Sequence, residues 1–131
     1  MGRVAAKVNG PGALLEIGCT AGVELRFDRY HYRIGTASSG PSHAPVRIDV
    51  SGRGHERVRL GSLPVIAARA GMDLHPIDAA DPVERRWLRA LVWPENVRQA
   101  AQLTAALELV AADPPQIVTG DTTEGMRASP V

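Results

Sequence analysis

The stretch that decides the fold is Leu14-Leu15-Glu16-Ile17-Gly18-Cys19-Thr20-Ala21-Gly22. A short apolar run holds one acid, Glu16, and passes into two glycines four residues apart, with small residues between them. The pattern reads as a buried strand turning sharply toward a helix. Glycine permits the tight bend and lets a ligand come close to the backbone. The bend is expected to aim backbone N–H groups, and the positive end of the following helix, at whatever binds there. Ala13–Gly18 is therefore predicted as the first strand, buried on both faces as in a parallel sheet.

Beyond the glycines the period changes. Val23, Phe27 and Tyr30 lie at helical spacing and predict a short helix. Tyr32 and Ile34 alternate with His31 and Arg33, which is strand-like. Thr36–Pro45 is a loop by composition. Val46, Ile48 and Val50 alternate with polar residues, as do residues 56–60, around the glycine-containing Ser51-Gly52-Arg53-Gly54-His55. Residues 31–61 are thus expected to form an antiparallel β-hairpin insertion. Ser62–Ala70 supports two readings, a short helix capped by Ser62 or one long strand running into Met72-Asp73-Leu74.

The clearest start signal comes next. Asp81-Pro82-Val83-Glu84 supplies an N-cap, a proline at the first helical position and an acid at the third. Trp87, Leu88, Leu91 and Val92 form an apolar face, and Pro94 separates this helix from a second. Val97, Ala100, Ala101, Leu103, Leu107, Val110 and Ala111 form the stripe of that second helix. The Trp87/Leu91 and Leu103/Leu107 faces of this C-terminal helix pair are expected to pack on the sheet, with Trp87 and Trp93 in the core. Gln116–Asp121 is a final short strand. Strand, helix, β excursion, strand, helix pair, strand is an α/β order, and the three main strands are expected to be parallel.

The totals bound the function. The 131 residues allow one domain, with 1–12 as lead-in and 122–131 as a flexible tail. A formal net charge of +1 gives no global attraction to nucleic acid or membrane. The arginines from Arg26 to Arg59 are interleaved with acids, as on a solvated mixed-charge surface, so no nucleic-acid partner is expected. Cys19 is the single cysteine, so no internal disulfide is possible and a reducing cytoplasm fits. No apolar run approaches the roughly 18 residues of a membrane span. The four histidines lack ligand spacing, so no metal site is expected. Cys19 beside a helix N-terminus is a weak nucleophile candidate through a lowered thiol pKa.

Three strands carry an acid at or near their ends: Glu16, Asp73 and Asp121. Ligands of open α/β sheets bind outside the carboxyl ends of the strands. Glu16 stands before the glycine loop, Asp73 suits ribose hydroxyls, and Asp121 suits an amino group on a base. The pattern Gly18-x-x-x-Gly22 departs from the dinucleotide fingerprint, and no Gly-Lys-Ser/Thr follows for a P-loop.

Residues 15–22 resemble the first motif of class I S-adenosylmethionine-dependent methyltransferases. Gly71–Pro76 resembles their second-strand motif, and Gly120-Asp121 their third. The chain is also similar, over most of residues 14–121, to a bacterial family known as domain of unknown function 2332. The run Trp87-Leu88-Arg89-Ala90-Leu91-Val92-Trp93-Pro94 is the most specific part of that likeness. The resemblance implies a partial Rossmann-like, methyltransferase-like parallel sheet that binds S-adenosylmethionine through Glu16, Gly18, Gly22, Asp73 and Asp121. Thr20 replaces the middle glycine of the motif, which a ligand without phosphate tolerates better than a dinucleotide. The methyltransferase likeness also implies strands after Asp121, and the bacterial family a helical segment before the first strand. The chain is thus expected to be a truncated domain, inactive in isolation, that self-associates through uncovered sheet edges. The alternative expectation is a non-catalytic remnant or interaction module that keeps the sheet.

Overall fold

The computed structural model describes residues 10–51 and 59–121. Strand β1, Gly12–Ile17, lies parallel to β5, Ile66–Asp73, and β5 lies parallel to β6, Gln116–Thr119. The order across this sheet is β1-β5-β6. The expected parallel trio is therefore present, and residues 66–70 take the strand reading rather than the helical one. No regular element covers residues 62–65.

One face of the sheet is packed; the other is open over β1, while Met72 of β5 beside Ile17 is buried. Leu14 pairs with Arg69 and Glu16 with Gly71, and this face carries a 3-10 helix, Glu24–Arg29. Arg69 reaches from β5 into that helix. Its guanidinium donates to the Leu25 carbonyl at 2.9 Å and to both Asp28 carboxylate oxygens at 2.9 and 3.1 Å. On the opposite face Leu15 is 60% exposed and Ile17 is 53% exposed. The expectation of a first strand buried on both faces is thus corrected: β1 is half-covered. Its apolar run signals a strand, but nothing among the described residues packs over Leu15 and Ile17.

The segment after the 3-10 helix forms a second sheet, in the order β3-β2-β4. Strand β2, His31–Ile34, turns at Gly35 into β3, Ala37–Ser39, which pairs antiparallel to it. Strand β4, Arg47–Val50, pairs with β2 in parallel. Two expectations are corrected here. Within its described residues the insertion is mixed rather than antiparallel, with a hairpin at 31–39, and the hairpin expected around residues 51–55 falls outside the described residues. The stretch read as an unbroken loop, Thr36–Pro45, supplies β3. Residues 52–58, where further alternation was expected, lie outside the described residues. The alternation in 46–50 was visible, but strand direction is set by the long return through residues 40–46, which alternation does not encode.

Helix α1, Pro82–Ala90, begins as its sequence requires. Asp81 Oδ1 accepts from Val83 N at 2.7 Å and Glu84 N at 3.3 Å, satisfying amides that a helix start leaves free. Helix α2, Val97–Ala112, packs between the glycine turn with the 77–79 segment on one side and the second sheet on the other. Leu107 and Val110 pack with Ala21 and Ala79, while Ala106 packs with Tyr30 and Val46. The Leu103/Leu107 face is therefore internal. The expected burial of Trp87, Trp93, Leu91 and Val97 is corrected: Trp87 is 54% exposed, Trp93 75%, and Leu91 and Val97 lie outward too. Helix α1 touches the core through Leu88. A helical hydrophobic pattern shows which residues share a face, and not whether a neighbour covers it.

Candidate functional site

The glycine turn sits at the carboxyl ends of β1 and β5. Gly18, Thr20 and Gly22 all have positive φ, at 73°, 54° and 73°. Thr20 is the only non-glycine residue with positive φ among the described residues. A β-branched residue there is strained, and its backbone is held by a specific bond. Thr20 N donates to Asp73 Oδ2 at 2.7 Å, while His75 N donates to Asp73 Oδ1 at 2.9 Å. Those amides, His75 first and then Thr20, hold the Asp73 carboxyl below its ordinary pKa. Asp73 is thus the latch of the turn as well as the acid at the strand end.

The turn is more self-contained than expected. Gly18 N and Cys19 N both donate to the Met72 carbonyl, at 2.7 and 3.4 Å, and Gly22 N donates to the Cys19 carbonyl at 2.7 Å. With Thr20 N on Asp73, four of the five amides from Gly18 to Gly22 are engaged within the protein. The helix that follows is a six-residue 3-10 turn with Arg26 out of helical geometry. The expected array of backbone donors and helix dipole aimed at a ligand is corrected accordingly.

The two glycines do different work. Around Gly18 a side chain would meet nothing within 4 Å, so this position opens to solvent. At Gly22 a Cβ would come within 2.7 Å of Pro115 Cγ and 3.2 Å of Ile117 Cδ1. Gly22 is therefore a packing position, where the turn meets the start of β6. Gly71, inside β5, is a third requirement: a Cβ there would lie 2.5 Å from Cys19 Sγ. Cys19 is buried over Gly71, and burial, then Glu16 and Asp73, push its thiol pKa up. The lowered-pKa nucleophile reading of Cys19 is corrected.

Glu16 lies on the packed face behind the turn. Its Oε2 is buried without a hydrogen-bond partner, and Glu24 stands nearby at the start of the 3-10 helix. Burial first, then the neighbouring Glu24 carboxyl, raise its pKa from 4.5 to about 7. Asp121 follows Gly120, whose N–H donates to the Asp73 carbonyl at 3.0 Å. The structure thus brings Gly18, Asp73 and the Gly120-Asp121 step to one end of the sheet, with Glu16 behind them and Gly22 beneath.

Sequence reading missed several residues at this end. A hollow of ≈ 510 Å³ over the turn is lined by Thr20, Asp73, His75, Pro76, Ile77, Glu84 and Trp87. Glu84 and Trp87 come from α1. Their spacing of three placed them on adjacent turns of one helix, but nothing in the pattern aimed that helix at the strand ends. Arg26 is buried and pairs with Asp113 at 3.1 Å, and Arg29 reaches the same carboxylate at 3.1 Å. Among the described residues no group of three or more histidine, cysteine or acidic side chains is placed to hold a metal ion. Nor is any described helix long and apolar enough to cross a membrane.

The family described as "Uncharacterized protein conserved in bacteria (DUF2332)" matches residues 1–129. The chain belongs to this family. No curated protein and no solved structure matches it.

Proposed function

We propose that the chain carries the S-adenosylmethionine-binding half of a Rossmann-like, methyltransferase-like domain that works in the cytoplasm. The observation that carries the reading is the strand order. In a doubly wound sheet the first half runs three-two-one from the edge to the centre, with the ligand over the carboxyl ends. Here β1, β5 and β6 are parallel in that order. The first is followed by a glycine turn, the second ends in Asp73, and Gly120-Asp121 follows the third. Gly18 opens the approach path. Asp73 keeps lone pairs beyond its two amide bonds for the vicinal hydroxyls of a ribose, and Asp121 stands one strand farther, toward an exocyclic amine. Glu16 and Gly22 shape the turn from behind and beneath.

One observation favours a second reading, a non-catalytic interaction module. The turn satisfies four of its own amides, as a purely structural turn does. Titration calorimetry with S-adenosylmethionine and S-adenosylhomocysteine separates the two. The cofactor reading expects saturable binding that Asp73→Ala weakens by about 1–3 kcal/mol, the cost of unpaired hydrogen-bonding groups. Absence of heat with both ligands, or equal binding by the Asp73→Ala protein, leaves the module reading in place.

A further inference from the structure

The hollow over the glycine turn has a chemistry of its own. One wall is the indole of Trp87, more than half exposed although it belongs to a helix whose Leu88 is packed inward. Two carboxylic side chains, Asp73 and Glu84, line the same space. The Asp73 carboxyl takes two backbone amides, and Glu84 Oε2 takes the Asp78 amide. The turn beneath has spent four of its five amides on the protein. A phosphate needs donors and positive charge, and here Asp73 and Glu84 set two carboxylates against the single imidazole of His75 and the Thr20 hydroxyl, with no lysine or arginine in the lining. A flat ring needs an aromatic face, and a diol needs an acceptor. Trp87 and Asp73 supply these.

Val83 and Trp87 on α1 and Leu91 at its C-terminal cap form an exposed stripe at helical spacing of four. Only Trp87 of the three lines the hollow. That singles it out from an ordinary contact stripe. A neighbouring space of ≈ 270 Å³ shares Pro76 and Ile77 with the hollow, so the apolar wall beside the indole continues.

We propose that Trp87 is a ligand-contacting residue of this hollow, and that the ligand class it takes is a phosphate-free nucleoside whose base stacks on the indole. The role of Asp73 as diol acceptor rests on the cofactor reading above, whereas the role of Trp87 is tested separately. Stacking of a base on an aromatic side chain is tolerant of the base and is lost on truncation to alanine. Carboxylates beside it repel a nucleotide phosphate, and salt relieves the repulsion.

The test uses the Trp93→Phe chain, which leaves Trp87 as the sole indole, and follows its fluorescence as adenosine or AMP is added. The expected result is saturable quenching by adenosine. AMP should bind at least about tenfold more weakly at low ionic strength, with the gap narrowing as salt is added. Trp87→Ala should weaken adenosine about tenfold in calorimetry, and Trp87→Tyr should restore most of the loss. Circular dichroism of each variant checks that the fold is kept. No quenching by adenosine, equal binding by Trp87→Ala, or AMP binding as well as adenosine overturns the proposal. So does a Trp87→Ala effect confined to self-association, which would make the stripe a contact between copies. Quenching by adenosine without binding of S-adenosylmethionine or S-adenosylhomocysteine supports Trp87 and refutes the cofactor reading. Asp73-dependent binding of those two ligands with a silent Trp87 does the reverse.

Discussion

At the scale of single residues, identical amino acids do different jobs within five positions. Gly18 and Gly22 share a φ of 73°, but only Gly22 is pressed against Pro115 and Ile117. Gly22→Ala should therefore cost the left-handed strain of roughly 1–2 kcal/mol plus the displacement of Pro115. Gly18→Ala should cost the strain alone, and its larger effect should be on ligand binding. Urea midpoints of the two variants check this, and equal midpoints would remove the packing role of Gly22. Glu16 makes a second residue-level prediction. In the folded chain its carboxyl holds a proton up to about pH 7, whereas unfolded it ionises near 4.5. Between those values the unfolded state binds fewer protons, so stability falls as pH rises. The contribution of Glu16 is complete below about 4.5, declines through the interval and is gone above about 7. Glu16→Gln should flatten that slope in denaturation midpoints measured across the interval. An unchanged slope would show that the carboxyl ionises normally.

At the scale of elements, helix α2 is the joint of the molecule. Leu107 is fully buried between the glycine turn and the 77–79 segment. Leu107→Ala should destabilise by about 2–5 kcal/mol, as cavities in packed cores do, and a cost near zero would detach α2 from the core. This burial was legible in the sequence, because Leu103, Leu107 and Val110 share a stripe and a proline pair ends the helix. The cap at Asp81 was legible too, because its chemistry is local to four residues. The parallel trio was legible from strand–helix alternation and acids at the strand ends. What escaped the sequence is what depends on distant partners. The outward faces of α1, the parallel return of β4 and the two-amide grip on Asp73 all arise from tertiary placement. So do the buried Arg26 and the Arg69–Asp28 pair, although an arginine amid the alanines of β5 was a signal that it met a charge.

At the scale of the whole molecule, the described residues place the candidate ligand hollow at one end of a half-covered sheet. Leu15, Ile17 and Val118 lie exposed on the uncovered face, and Val83 and Trp87 on α1 and Leu91 at its cap are exposed as well. Apolar surface of this kind drives association. The chain should bind a hydrophobic dye and self-associate with rising concentration, and Leu15→Lys should reduce both. A dye-silent monomer at all concentrations in sedimentation would contradict this. The proposed role of the glycine turn and the Asp73 latch as a ligand site, rather than a turn alone, is open to direct test. The most direct measurement is the change in backbone amide chemical shifts as S-adenosylhomocysteine is added. A ligand site there gives saturable shifts confined to Gly18–Gly22, Asp73–His75 and the neighbouring turn of α1 around Trp87. Shifts that are absent, or that centre on residues away from this end of the sheet, would contradict it.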